Sequence, residues 1–432
     1  MKTVNGPFFF LLTCLTLSGM SEPIVITGAM VPAFLGKPIS NLRLVDHRGA
    51  AIPFQIDEVT PDDEYVCPLG KEPNRGNGAL DTADEIVFLW EDADTVADSS
   101  SKRFADTGQA VKIDSAGECI SVGHATQKRY VLLIDNPSIP LSATRYVNYD
   151  EKSETVTTPF YYATFGHDRF HFVKAGVRDF TGAAYIDLTD ELRIRLYFRA
   201  LWGLVPISYS EDNMICFVKR YKIGPIRLIR RGDFHLNLGF WIKGSHAAVN
   251  QLCYPDMVRV PIYITLPMHF RSLFSQAYVE MTPVIRKGED RFSFRVPKYD
   301  IAFSFLGNRS IDSLIPVNPN HGFMTVDNGA TGYGWLLDAN MQETYLSGSG
   351  YVFRKPSDRR GLCDCGFRLA VRDLPKGGYL ISNWVLFSNN GAAAFALEDA
   401  GECIKNKAEI MFRHSPALYY NQLTKNQKFK KR

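Results

Sequence analysis

The sequence predicts an all-β protein made of two β-sandwich units. Aromatic residues form 12% of its 432 residues, and the chain contains 33 glycines and 23 prolines. Aromatic side chains favour strands, while glycine and proline favour the tight turns that join strands. The length exceeds what one ordinary hydrophobic core serves, so we expect two packed units.

The first unit is expected at residues 22–150, where short apolar segments follow one another. Each contains a run of about four to eight residues bounded by Gly, Pro, Asp or Asn, which is typical of strands. The segments read IVITGAMVPA, ISNLRLVD, AIPFQIDE, DEIVFLWED and RYVLLIDN. Their spacing predicts a small β-sandwich.

The second unit is expected at residues 151–418, after a charged and threonine-rich connector around residues 149–159. Its strand-like segments include ELRIRLYFRALW, DFHLNLGFWI, VPIYITLP, DRFSFRVP, YDIAFSFLG and GYLISNWVLFS. Only FRSLFSQAY and GAAAFALEDAGECI favour helices. The pattern predicts a larger β-sandwich, and a basic tail follows it at residues 419–432.

The N-terminus indicates export. Lys2 precedes an apolar run from Phe8 to Leu17 and then small residues, so residues 1–21 are interpreted as a signal peptide. The run is shorter than the roughly 20 residues that span a bilayer. We therefore expect a secreted or periplasmic protein that starts close to Glu22 and has no integral membrane segment after signal removal.

Charge and cysteine content narrow the function classes. Removal of Lys2 lowers the formal charge from +3 to +2, which argues against a nucleic-acid partner. Of eight cysteines, Cys14 lies in the leader and seven remain. In an oxidising compartment up to three disulfides can form, which leaves at least one thiol.

One predicted strand presents a row of arginines. Side chains alternate along a strand, so residues 192–202 place Leu192, Ile194, Leu196, Phe198, Ala200 and Trp202 on one face. The opposite face carries Arg193, Arg195, Tyr197 and Arg199. Guanidinium forks match carboxylates, so this face is a candidate substrate-binding surface for an acidic sugar. The alternative is a solvated face paired with acids of neighbouring strands.

A second predicted strand, residues 234–242, places His235, Asn237 and Trp241 on one face. A flat ring beside an amide and an imidazole can stack on a sugar and bond its hydroxyls. His171 is a further candidate general base, because the pKa of histidine lies near neutrality. His167 and His171 lie about 13 Å apart along a strand, too far to share a metal ion. The alternative for these positions is an ordinary exposed strand face.

The acids after the first strands leave calcium open as a cofactor, and no other cofactor is expected. Asp62, Asp63, Asp81, Asp84 and Glu85 supply the oxygen ligands that calcium prefers, although their spacing is not that of an EF-hand. Acidic loop ends also serve as solvated caps and turns.

Three motifs carry a resemblance to a family. IPFQIDE, LDTADEIVFLWEDA and YKIGPIRLIRRG together resemble a pattern of secreted bacterial β-supersandwich proteins, some of which are similar to polysaccharide lyases. The matching positions are Pro53, Gln55, Asp57, Asp84, Glu85, Phe88, Gly224, Pro225 and Arg227. The resemblance extends over about half of the chain. It implies a supersandwich for the larger unit and a carbohydrate-binding or carbohydrate-processing function.

The hypothesis is an exported protein that acts on an acidic oligosaccharide or polysaccharide. In a lyase-like reaction, Arg195 or Arg227 would neutralise the carboxylate of the substrate, and His171, His235 or Tyr197 would take the proton. No lyase catalytic set is matched residue by residue, so enzyme activity stays open. The alternative hypothesis is a non-catalytic envelope protein that binds a protein partner.

Overall fold

The chain folds as an all-β protein, as the sequence predicts. A computed structural model describes residues 23–94, 117–124, 127–167, 169–179, 181–189, 191–210, 215–235, 246–266, 268–285, 293–296, 301–304, 313–316, 322–327, 331–339, 341–354 and 363–388. Within these ranges there are 27 strands and no α-helix. The signal peptide, the basic tail, Asn237, Trp241 and the segment GAAAFALEDAGECI lie outside the described residues.

Short 3-10 turns connect some of the strands. They span Gly28–Met30, Pro32–Phe34, Ile39–Asn41, Trp90–Asp92, Leu201–Gly203, Phe270–Ser272 and Glu343–Leu346. In the described part of the chain, no helix is long and apolar enough to cross a bilayer.

Of the seven strands described between residues 23 and 135, six form two three-stranded antiparallel sheets, and the seventh, Leu69–Gly70, belongs to the ten-stranded sheet given below. The strands are β1 (Pro23–Thr27), β2 (Leu42–Val45), β3 (Phe54–Asp57), β4 (Leu69–Gly70), β5 (Glu85–Leu89), β6 (Gly117–His124) and β7 (Gln127–Asp135). One sheet has the order β1-β5-β3 and the other β2-β7-β6. Their facing sides meet in one core, where Phe54 and Phe88 pack with Leu44 and Leu133. This unit is a small sandwich.

A five-stranded sheet follows, with the order β12-β11-β10-β9-β8. Its strands are β8 (Asn148–Asp150), β9 (Thr155–Thr157), β10 (Tyr161–Phe165), β11 (Phe172–Arg178) and β12 (Tyr185–Thr189). Alternate residues of β10, namely Tyr161, Ala163 and Phe165, are buried in the main core. Strand alternation therefore fixes which face of this sheet packs inward.

Two larger sheets form the rest of the described chain. Their strands are β13 (Glu191–Ala200), β14 (Val205–Tyr209), β15 (Ile215–Ile223), β16 (Leu228–His235), β17 (His246–Cys253), β18 (Met257–Leu266), β19 (Phe274–Ile285), β20 (Ser293–Val296), β21 (Ile301–Ser304), β22 (Ser313–Pro316), β23 (Gly322–Asp327), β24 (Gly332–Ala339), β25 (Gly350–Arg354), β26 (Cys363–Ala370) and β27 (Gly377–Ser388). The six-stranded sheet has the order β14-β13-β19-β26-β25-β22. The ten-stranded sheet has the order β21-β20-β23-β24-β27-β18-β17-β16-β15-β4.

Strand β27 of the ten-stranded sheet is buried on both faces. On one side Ile381 and Val385 pack in the core shared with the six-stranded sheet. On the other side Trp384 packs with Val87 and Leu89 of β5. Because both faces are buried, apolar side chains occupy successive positions of β27 on either side of the polar pair Ser382 and Asn383.

Two details of the predicted elements are wrong. The strand predicted at residues 192–202 ends at Ala200, where the pairing register with β19 shifts. Trp202 follows with a left-handed φ of 56° and is 92% exposed, so it does not lie on the apolar face. FRSLFSQAY contains a 3-10 turn and the start of β19 instead of a helix. Its aromatic side chains Phe270 and Phe274 pack on Phe198, and this tertiary contact outweighs local propensity.

Candidate functional site

The predicted alternation of β13 is confirmed by its two faces. Leu192, Ile194, Leu196 and Phe198 line the space between the six-stranded and ten-stranded sheets. Arg193, Arg195, Tyr197 and Arg199 therefore project from the opposite side. We call this side the arginine face, defined by Arg193, Arg195, Tyr197, Arg199, Tyr278, Glu280 and Arg368.

The pairing register aligns two rows across the arginine face. Arg195 of β13 lies opposite Glu280 of β19, which lies opposite Arg368 of β26. The Arg368 guanidinium donates from Nε to Glu280 Oε1 over 2.7 Å, and Glu280 is almost fully buried. A buried carboxylate of this kind needs such a partner, and it fixes the orientation of Arg368.

The second row is a pair of stacked phenol rings. Tyr197 and Tyr278 lie opposite each other, with ring centroids 4.9 Å apart and an interplanar angle of 23°. Arg199 donates from Nε to the Tyr197 hydroxyl over 2.6 Å. The Arg368 guanidinium lies 4.4 Å from the Tyr278 ring centroid. A cation thus flanks the stacked pair at each end.

The arginine face carries four guanidiniums. Arg368 pairs with Glu280, and Arg193 Nε lies 3.4 Å from a carboxylate oxygen of Glu191. Arg199 is exposed and Arg193 and Arg195 are half-buried, so the surface can reach a ligand in solvent. Guanidiniums can bind carboxylates, and aromatic rings beside them can stack on sugar rings.

The other predicted site residues lie elsewhere. His171 lines the space between the sheets, on the side of β13 away from Tyr197. The backbone of His235 belongs to β16 in the ten-stranded sheet, and its side chain lies outside the described residues, as do Asn237 and Trp241. Among the described residues, only Tyr197 and the three arginines of β13 come together.

Arg227 is not at a surface. It lies in the turn before β16, and its side chain, 1% exposed, contacts β3 and β5 of the small sandwich and the turn between β17 and β18. Nε donates to Asp57 Oδ2 over 2.9 Å and Nη1 to the Tyr254 hydroxyl over 2.6 Å, while Nη2 donates to Glu85. The prediction that Arg227 binds substrate directly does not fit this burial, because the fork of the guanidinium is already filled by the protein.

The network of Arg227 explains the acids Asp57 and Glu85. Burial by itself would raise the pKa of Asp57, but the charges of Lys222 and Arg227 outweigh burial and hold that pKa below its usual value. Lys222 Nζ lies 2.8 Å from Asp57 Oδ1. These carboxylates join the small sandwich to the ten-stranded sheet.

Asp84, another acid of the calcium prediction, binds backbone N–H groups of neighbouring loops. The two oxygens of Asp84 accept the backbone N–H groups of Val59 and Asp81, each over 2.7 Å. Across the described ranges, no group of three His, Cys, Asp or Glu side chains is placed to hold a metal ion.

Three of the cysteines are buried thiols: Cys67, Cys253 and Cys365. Burial raises the pKa of Cys67 and of Cys253 to about 12, so both are protonated at neutral pH. Their positions in separate parts of the core give them the role of small apolar side chains.

The sequence interpretation missed Tyr278, Glu280 and Arg368. In β19, Tyr278, Glu280 and Thr282 alternate with apolar residues, which is a strand signal, but the preceding FRSLFSQAY segment favoured a helix. Strand pairing places these residues beside the arginines of β13. The paired residues are about 80 positions apart in the chain, so a local sequence pattern cannot predict the pairing.

Comparisons with known proteins add similarity of shape alone. No protein-family model matches the chain, and no curated protein gives a significant sequence match. An alpha-mannosidase from Enterococcus faecalis V583 is similar in structure, with 8% identity and a TM-score of 0.48 over 90% of this chain and 44% of that one. The Slr1438 protein from Synechocystis sp. PCC 6803 is similar with 11% identity and a TM-score of 0.31, over 58% of this chain and 99% of that one.

The chain spans less than half the length of the alpha-mannosidase. At these identities and TM-scores the similarities carry no argument about activity. The resemblance of the three sequence motifs to lyase-like proteins stays a prediction.

Proposed function

We propose that the protein is an exported carbohydrate-binding protein that holds an acidic glycan against the arginine face. The observation that carries the proposal is the stacked pair Tyr197–Tyr278 with Arg199 at one end and Arg368 at the other. Phenol hydroxyls can bond the hydroxyls of a sugar, and guanidiniums offer paired N–H donors to a carboxylate.

Arg195 is the central cation of the proposed surface. It lies between Arg193 and Tyr197 along the chain and opposite Glu280 across the sheet. Its position next to the stacked rings suits a contact with the carboxylate of a sugar that is held beside them. Binding of this kind weakens as salt is added, because the charges are partly exposed.

Titration with an oligogalacturonate and with a neutral oligosaccharide of equal length tests the proposal. We expect the acidic ligand to bind more tightly, and Arg195→Ala to weaken it by about 1.5–3 kcal/mol, roughly ten- to a hundredfold. Arg48→Ala, at an exposed arginine of the small sandwich, should leave affinity unchanged. Equal affinity of Arg195→Ala and the wild type for the acidic ligand would refute the proposal.

A processing activity would depend on Tyr197, since it is the one predicted proton acceptor that lies on the arginine face within the described chain. The same mixtures can be read for unsaturated sugar products. A lyase would form them, and Tyr197→Phe would abolish them. Binding without product would restrict the function to recognition.

A second candidate function, contact with a protein partner, is favoured by an apolar tip beyond β13. Leu201, Trp202 and Leu204 are 59%, 92% and 80% exposed. Leu201 and Trp202 both have left-handed backbone angles, which are uncommon for such residues and present the side chains outward. Trp202→Ser with Leu204→Ser should abolish capture of an envelope partner in pull-downs and leave glycan binding intact. Unchanged capture would exclude the tip as the contact.

A further inference from the structure

A cavity of about 210 Å³ lies between the six-stranded and ten-stranded sheets. The wall from the six-stranded sheet includes Leu196, Phe198 and Met281, and the wall from the ten-stranded sheet includes Val260 and Ile262. Almost all of the lining is aliphatic or aromatic. This interior is separate from the arginine face, because it lies on the opposite side of β13.

Three polar side chains in the lining have an atom without a hydrogen-bond partner in the described part of the chain. The atoms are Asn383 Oδ1, the Tyr333 hydroxyl oxygen and Trp335 Nε1. Each of these residues is at most 5% exposed. Buried polar groups in native proteins are almost always paired, so each such atom calls for a partner.

The sheet register places these side chains on one wall of the cavity. Asn383 of β27 lies opposite Val260 of β18 and Leu337 of β24. Trp335 pairs with Val385, so it is a diagonal neighbour of Asn383 on the same face. Tyr333 precedes Trp335 by two residues and shares that face. Asn383 and Trp335 are therefore neighbours on one apolar wall, and Tyr333 lies further along it, about 13 Å from the position of Asn383.

We infer that this cavity binds a small, mostly apolar molecule that carries a hydroxyl group. A hydroxyl both donates and accepts, so it can donate to the Asn383 carbonyl oxygen and accept from Nε1–H of the neighbouring Trp335. The apolar remainder of the molecule is buried against the aliphatic walls, which provides the driving force.

The size of the cavity sets the size of the ligand. Engineered apolar cavities of about 150 Å³ bind benzene, so the present volume suits a ring with a short alkyl chain. One water molecule occupies roughly 30 Å³ of liquid, which fills little of this space. Burial raises the pKa of Tyr333 well above its usual value, so its phenol remains a hydrogen-bond donor.

The pair 4-propylphenol and propylbenzene tests the inference by calorimetric titration, because the two probes differ by the hydroxyl alone. We expect both to bind the wild type, with 4-propylphenol about tenfold tighter, as one or two buried hydrogen bonds provide. Asn383→Leu keeps the side-chain volume and should remove most of this preference while propylbenzene still binds. Val260→Phe fills the cavity and should weaken both probes at least tenfold.

Circular dichroism and a urea melt show which variants are folded. Ile262→Phe replaces Val260→Phe if the latter fails to fold. Arg195→Ala, on the other side of the sheet, should bind both probes as the wild type does. Failure of the wild type to bind either probe, or equal binding by the filled variants, would overturn the inference. A preference for 4-propylphenol that survives in Asn383→Leu would overturn the assignment of the hydroxyl partner.

Discussion

The buried guanidinium of Arg227 pairs with two carboxylates, Asp57, which is fully buried, and Glu85, which is partly exposed. Removal of one member of a buried ion pair leaves the others charged in apolar surroundings, which typically costs about 3–5 kcal/mol. We therefore expect Arg227→Met to lower the free energy of unfolding by up to about this amount, because Asp57 and Glu85 lose the guanidinium and Asp57 keeps Lys222 as its one cationic partner within the described chain.

Urea denaturation measures the effect, with Arg48→Met as the control at an exposed arginine. Arg227→Lys should lie between the wild type and Arg227→Met, because an ammonium keeps the charge and loses the fork. A midpoint for Arg227→Met equal to that of the control would show that the network does not stabilise the fold.

Asp57 should give the protein an acid-dependent stability. Its pKa in the folded state lies below the unfolded value of 3.8, so the unfolded state binds the proton more readily. The stabilisation from this group is complete above pH 4 or so and is lost as the pH falls through the lower folded pKa.

Unfolding free energies measured between neutral pH and about pH 3 test this sign. The wild type should lose stability on acidification more steeply than Asp57→Asn, which has no carboxylate to titrate at this position. Asp62→Asn, at an exposed position, serves as the control and should follow the wild type. A slope for Asp57→Asn equal to the wild-type slope would contradict the prediction.

At the scale of elements, the two faces of β13 have different roles. The apolar face contributes to stability, and the arginine face is the proposed binding surface. Phe198 is 1% exposed and packs on Phe270 and Phe274, so Phe198→Ala should cost about 3–5 kcal/mol of unfolding free energy. Arg199→Ala, the next residue on the opposite face, should change stability by about 0.5 kcal/mol or less. Equal losses in the urea melts of the two variants would mean that both faces are buried in solution.

The strand alternation of β13 was predictable because it is a local property, but its end was not. The left-handed residues Leu201 and Trp202 and the register shift at Ala200 depend on the pairing with β19. FRSLFSQAY likewise forms a 3-10 turn and the start of β19, because aromatic contacts with Phe198 outweigh the local preference of this segment for a helix.

For the whole molecule, the small sandwich and the ten-stranded sheet are joined at a close contact around Gly224. A Cβ at this position would lie 2.0 Å from Gln55 Oε1. That oxygen accepts the backbone N–H groups of Ile226 and Arg227 over 3.0 and 2.8 Å. Glycine is required here for space, because the side chain of Gln55 occupies the position of the missing Cβ.

Gly224→Ala should therefore loosen the junction and cost about 1–3 kcal/mol. Hydrogen exchange measured by mass spectrometry should show faster exchange in β3 and β5 of the variant, with β24 and β27 less affected. Gly377→Ala, whose added Cβ would meet no atom within 3.8 Å, is the matched control. Faster exchange throughout the chain, or in neither region, would show that the junction is not the local point of coupling.

The sequence by itself determined the class of the fold, because alternation, aromatic content and turn residues are properties of neighbouring positions. It also determined which side chains of β13 share a face. The partners of those side chains were decided by tertiary structure: Glu280 and Arg368 reach Arg195 through strand register, and Asp57 reaches Arg227 across 170 residues. The cavity between the six-stranded and ten-stranded sheets is likewise a product of tertiary structure. Such features depend on how the sheets pair and pack. The energy that stabilises them comes from contacts between residues far apart in the chain, and a local sequence pattern contains no information about these contacts.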